Sequence, residues 1–237
     1  MTGMIRITDD RVTEPPRVRQ PHRPNRWAAS IVVLVAGAIG ATGLASSASA
    51  QTTSAPGYLR TTDLPDGYQL RPGVGAPTPF VVAQVDRKAC TQTSKPVAGQ
   101  TGASLVAFSP PGAPTTTSGL LEYVLTFPTA KAATTAYKAL AGDAAARLKC
   151  KTVDYIPADK TAPTVPSTYA KVKVPKVGEG TVATSGSTST TKGSILVTFV
   201  DGTHVVGLSF AGEPYAPNAN DLATITKNAD TRLAELG

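Results

Sequence analysis

An α+β fold, built on a mostly antiparallel β-sheet with two main helices packed on one face and one disulfide, is what the sequence predicts for residues 58–237. Three observations carry that expectation. Two alternating apolar runs, 194–200 (SILVTFV) and 203–210 (THVVGLSF), flank Asp201-Gly202, the pattern of a two-residue hairpin. Two later stretches repeat apolar residues at helical spacing: Ala133, Tyr137, Leu140, Ala144 and Leu148, then Leu222, Ile225, Ala229, Leu233 and Leu236. The chain has only two cysteines, Cys90 and Cys150, so one intramolecular pairing is open to them.

The elements follow in order. Residues 61–68 read as a short docking segment with a turn at Asp66-Gly67. Strands are expected at 80–85 and 103–108, the second followed by a Pro/Thr/Ser loop over 109–118. In 120–127 (LLEYVLTF), Leu121, Tyr123, Leu125 and Phe127 share one face, leaving Glu122 and Thr126 for the other. Thr129, after Pro128, is the expected N-cap of a helix running to Cys150. Beyond it come a strand in 151–156, a Pro-rich loop over 157–167, a turn at Gly178-Glu179-Gly180, a strand at 181–184 and a polar turn over 185–192. In the hairpin, Asp201-Gly202 as loop sets Val200 against Thr203, Phe199 against His204, Val197 against Val206 and Ile195 against Leu208. The last helix begins near Pro217.

The N-terminal region reads as an address. Residues 1–27 form a basic, Pro-rich leader expected to stay cytoplasmic, with six arginines against Asp9, Asp10 and Glu14. An uncharged apolar stretch of 17 residues, 28–44, follows, then small residues ending in Ala48-Ser49-Ala50. That is a signal cleavage pattern with the cut between Ala50 and Gln51. The stretch is short of the ~20 residues a permanent span wants. A long polar leader points the other way, so 28–50 is either a cleaved signal peptide or a signal anchor. Either places the rest outside the cytoplasm, secreted or held at the outer face of the membrane, where thiols pair. Residues 51–57 read as a disordered lead.

The chemistry expected of the exported part is sparse. Its only histidine, His204, lies beside the hairpin turn with no second metal ligand or nucleophile partner in any recognisable motif. Asp63, Asp66, Glu122 and Asp143 are read as turn or surface carboxylates. No catalytic residue, metal ligand or cofactor is expected. Past residue 50 the chain carries seventeen basic and thirteen acidic groups without interleaved aromatics, which argues against nucleic acid as a partner.

Phe127-Pro128-Thr129-Ala130, Ala133, Cys150 at the helix end, the Val177-Gly178-Glu179 step, the final hairpin and the C-terminal helix together resemble the PknH-like extracellular sensor domain of actinobacterial exported envelope proteins, over roughly residues 60–236. The resemblance implies a non-catalytic envelope domain that binds a small molecule, lipid or envelope component. That pattern also carries a second disulfide and a Trp near the helix end, where this chain has Leu148-Lys149-Cys150 and its sole Trp at Trp27. The ligand-binding residues are therefore not placed from sequence. The 26 residues before Trp27 are too few for a kinase domain, so a sensor would act through a membrane partner protein or simply bind. The alternatives are a protein–protein interaction module and, further off, a hydrolase of wall or lipid material.

Overall fold

The computed structural model describes residues 56–71, 76, 79–113, 118–159 and 162–236. Their elements run β1 (Gln69–Arg71), β2 (Val81–Asp86), β3 (Thr91–Pro96), β4 (Gly102–Ser109), β5 (Leu120–Thr126), α1 (Ala130–Arg147), β6 (Val153–Tyr155), β7 (Val165–Lys171), β8 (Gly180–Ser187), β9 (Ser194–Asp201), β10 (His204–Phe210) and α2 (Ala219–Leu233). The strands form one sheet in the order β1-β4-β5-β10-β9-β8-β7-β6-β3-β2. Every pairing is antiparallel except that of β3 with β6. The α+β class, the mostly antiparallel sheet and the Cys90–Cys150 bond stand as expected.

The helices do not share a face. On β9, Ile195, Val197 and Phe199 pack with Leu222, Ile225, Ala229 and Leu233 of α2. The alternate residues Leu196 and Val200 pack instead with Ala133 and Ala136 of α1. Successive strand residues point to opposite faces, so α1 and α2 sandwich the sheet. The one-face expectation came from the run of hairpins and meanders, since antiparallel sheets commonly keep one face wet, and Glu122 was expected to face solvent. Glu122 is fully buried, because α2 and the chain before β1 cover that side.

The hairpin forms where expected, but its loop is Gly202-Thr203. His204 pairs with Asp201, Val206 with Phe199, Leu208 with Val197 and Phe210 with Ile195. Gly202 has φ +52° while Thr203 does not reach positive φ, the pattern of a type II′ turn with Gly first. The pairing differs from the expected one by two residues, so each side chain keeps its face. The shift removes His204 from the apolar pairs and brings in Phe210.

The sheet also curls. β2 lies seven places from β5 in the strand order. In a flat sheet they would be about 34 Å apart. The Phe80 ring, beside β2, instead lies 4.7 Å from that of Tyr123 on β5, centroid to centroid. The bend is made along β7, whose first residues pair with β6 (Tyr155↔Val165, Val153↔Ser167) and whose later ones pair with β8 (Thr168↔Ser187, Lys171↔Thr184). The β6–β3–β2 end thus folds over the α1 face.

Both helices are capped by side chains. Thr129 Oγ1 accepts from Ala132 N at 3.2 Å. Asn218 Oδ1 accepts from Asn220 N and Asp221 N, each at 3.0 Å. The leader, the apolar segment 28–50 and the Ala50–Gln51 junction lie outside the described residues. Among the described residues no helix is long and apolar enough to cross a membrane.

The disulfide joins the β2–β3 turn to the end of α1, with a sequence separation of 60 and Cα atoms 5.9 Å apart. Replacing both cysteines with serine is expected to lower the unfolding free energy by about 4 kcal/mol, from loop entropy alone. Urea denaturation measures it, and a loss under about 1 kcal/mol would show that the bond adds little to the contacts around it.

Candidate functional site

The groove between α1 and the sheet gathers the polar groups that the α1 face buries. β2 is an edge strand, so the outward N–H and C=O groups of its free side need partners. α1 supplies them. Asp143 accepts a hydrogen bond from Val85 N–H. Arg147, four residues on, donates through Nη2 to the Ala83 carbonyl. A four-residue step along a helix spans about 6 Å, close to a two-residue step along a strand, so one helix face matches one strand edge.

Arg147 is buried, and its charge is surrounded by acceptors. Nε donates to Gln92 Oε1 at 3.2 Å. The guanidinium carbon stands 5.6 Å from the centroid of the Tyr169 ring, within cation–π range. Gln92, also buried, donates through Nε2 to Tyr169 Oη at 2.9 Å. Burial pushes the Asp143 carboxyl above its ordinary value, with Arg147 pulling against it.

Next to this pair lies a cavity of about 20 Å³, lined by Phe80, Tyr123, Asp143, Arg147, Thr184 and Thr198 among others. That is room for about one water molecule. The Tyr123 hydroxyl hydrogen-bonds to Thr198, and burial raises its pKa. Tyr123 fits because Gly207 stands opposite it in β10; a Cβ at Gly207 would overlap the ring.

On the other face, residues 57–64 pack against α2 and the sheet. Leu59 N–H donates to Glu122 Oε2 at 2.8 Å, and Glu122 is pushed up to about 8 by burial. Glu122 Oε1 is buried without a hydrogen-bond partner. Asp63 takes two bonds from Arg232, Nε at 2.8 Å and Nη2 at 2.7 Å. Burial works to raise the Asp63 carboxyl, yet Arg232 and the Arg60 N–H hold it below its ordinary value.

The carboxylates singled out from sequence therefore do not converge. Glu122 and Asp143 lie on opposite faces of the sheet, Asp63 is clamped by Arg232, and Asp66 is exposed. Asp143 is a half-buried contact rather than a surface residue. His204 sits at the sheet margin opposite Asp201, where burial lowers its pKa. Among the described residues no group of three or more His, Cys, Asp or Glu could hold a metal ion. Cys90 and Cys150 tie down the end of α1, and the disulfide does not line the cavity.

Sequence reasoning missed Arg147, because the helical stripe ran through Leu148, which is 36% exposed. Gln92 was missed too, in the polar run TQTSKP that forms β3. Two signals were there to be read: Asp143 and Arg147 at four-residue spacing, and a lone Gly207 inside a run of large residues.

No protein-family model matches the chain, and no curated protein matches it in sequence. In structure the chain is similar to the extracellular domain of PknH from Mycobacterium tuberculosis. The TM-score is 0.51 at 19% identity, over 77% of this chain and 97% of that one. The likeness is one of fold. It agrees with the resemblance carried by the Pro128-Thr129 helix start, the Gly178 turn and the last hairpin.

Arg147→Leu is expected to cost about 3 kcal/mol, since it strands the Ala83 carbonyl in the interior and leaves Gln92 only its bonds with Tyr169. Asp143→Asn is expected to cost less, because an amide oxygen still accepts from Val85 N–H. Urea unfolding of the two variants gives the order, and a larger loss for Asp143→Asn would contradict this account of the edge.

Proposed function

We propose that the chain is an exported, non-catalytic, sensor-like domain of the cell envelope. Its ligand would be a small molecule, lipid or envelope component that enters between α1 and the curled β2–β3 end. The observation that carries the reading is the fold, similar over nearly all of the extracellular domain of PknH. Three further observations support it. The Cys90–Cys150 bond suits an oxidising compartment. Residues 28–44 suit export. The scattered carboxylates suit binding better than acid–base catalysis.

The cavity holds too little space for such a ligand as it stands. Entry therefore requires α1 and β2 to separate, with Asp143 and Arg147 exchanging strand-edge partners for ligand groups. The same volume favours a second reading, a protein–protein interaction module that works through its surface rather than a pocket.

Two measurements test the proposal. A reporter fused after residue 237 is expected to be active only outside the cytoplasm, and the protein to carry no free thiol; a cytosolic reporter would end the envelope reading. A thermal-shift screen with envelope extract is expected to raise Tm in the wild type, and to raise it less in Arg147→Leu. A rise equal in both would move the ligand away from the α1 groove, and no rise would favour the interaction module.

A further inference from the structure

Residues 57–64 are attached to the domain in an unusual way. Leu59, Tyr58 and Leu64 are buried in the α2-side core, with Leu59 fully enclosed. Gly57, which the sequence placed in the lead, is buried beneath Leu236, where a Cβ would overlap the leucine side chain. Yet among the described residues no backbone–backbone hydrogen bond joins this segment to the sheet. The two such bonds it makes, Asp63 N to Arg60 O and Leu64 N to Thr61 O, are its own.

Side chains do the fastening. Arg232 grips Asp63, Arg60 reaches Glu235 at 2.8 Å, and Asn228 Nδ2 donates to the Asp63 carbonyl at 2.7 Å. The innermost tie is Leu59 N–H to Glu122. Glu122 has four covers. β4 sets Val106 opposite it and β10 sets Leu208, both locked in ladders. α2 contributes apolar residues, and its Arg232 is engaged with Asp63 and Glu235. The segment itself brings the titratable groups that face Glu122, Tyr58 and Asp63, and neither supplies a positive charge. Tyr58 is in turn hydrogen-bonded to the Ser104 side chain of β4.

We propose that residues 57–64 form a strap that the protonation of Glu122 holds shut, and that the strap leaves the core as a unit while the sheet stays folded. Of the four covers it is the one that can go without breaking a strand ladder or a long helix. Its departure lets water reach the orphaned Oε1. With the strap closed, burial holds Glu122 protonated up to about pH 8, against an ordinary value of 4.5. The closed form binds the proton more tightly, so closure is fully favoured below the ordinary value and is lost as pH rises towards the raised one. Between the two, the opening equilibrium grows about tenfold per pH unit. The strap lies next in the chain to the segment that precedes the domain, so its release would lengthen that connection.

Hydrogen exchange on the full chain in mild detergent tests this, read at the amides of Leu59, Arg60, Asp63 and Leu64 and corrected for intrinsic rates. The strap amides are expected to be less protected than those of β9 and β10 at every pH, and to lose about 100-fold protection between pH 5 and 7. Glu122→Gln should abolish that slope. Asn228→Ala should raise strap exchange by one factor at both pH values and leave the slope intact, a readout that survives if Glu122→Gln fails to fold. Protection equal to that of the central strands would mean that the strap opens only with global unfolding, which overturns the proposal. So would a wild-type strap unchanged from pH 5 to 7, or one that falls equally in Glu122→Gln.

Discussion

Two-sided burial of β5, β10 and β9 is the constraint from which the other features follow. Antiparallel sheets commonly keep one face wet, and the strands then alternate cleanly. Here Leu208, Phe210, Phe199 and Leu120 are enclosed on the α2 side, and Tyr123, Leu125, Val200 and Val205 on the α1 side. Each such side chain contributes about 1.5–3 kcal/mol by leaving water, so neither face can be left open. α2 is a single helix of fifteen residues and does not cover its face alone, which brings Tyr58 and Leu59 in beside it. α1 covers the other face only with help from Phe80 and Val97, which requires the sheet to curl.

The curl creates its own difficulty. It brings the free edge of β2 against a helix, where water cannot satisfy the strand's outward groups. An apolar residue at position 147 would bury well and leave the Ala83 carbonyl unpaired, at about 1–3 kcal/mol. Arginine has the donors and reach to serve Ala83 and Gln92 together, and a ring face at Tyr169 to lie on. The buried charge is thus explained by the backbone beside it. The groove's polar groups are structural first, and any binding role must compete with that work.

Local chemistry made much of the fold legible. The Thr129 cap, the Gly178 turn, β5, the last hairpin and α2 all declare themselves through period, caps or turn residues, and the cysteine count fixes the disulfide; β8 shows only its first half, since its last residues, through Ser187, read as a polar turn. β3 and β7 do not, since TQTSKP and VPSTYAK lack an apolar alternation. They earn their place by pairing, in a part of the sheet whose side chains are mostly exposed or half-exposed. Opposite-face helices were equally hidden. A buried Glu122 and a solvent-facing Glu122 leave the same letter in the sequence, and the strap that decides between them lies sixty-three positions away. The hairpin loop was misplaced by one residue because Asp201-Gly202 and Gly202-Thr203 are both good turns. Pairing of Phe210 with Ile195 settles it, a contact at the far end of both strands.

The candidate site was the least legible part, for a related reason. Asp143 and Arg147 carry no motif; they matter because β2 arrives beside them, and β2 arrives because Phe80 must cover Tyr123. Each step depends on a contact far along the chain, between residues 83 and 147 or 80 and 123. The two faces nonetheless arrive at one solution. Where a strand edge or a core boundary is left with unpaired polar groups, an ionisable residue is drawn inward to meet it: Arg147 from α1 on one side, and Glu122 taking the Leu59 amide on the other. Each side keeps an oxygen without a partner, Gln100 Oε1 beside Phe80 and Glu122 Oε1 under residues 57–64. What differs is the cover: β2 is held over the α1 face by its ladder with β3, whereas residues 57–64 are held over Glu122 by side chains, which places the weaker closure where that segment enters the domain.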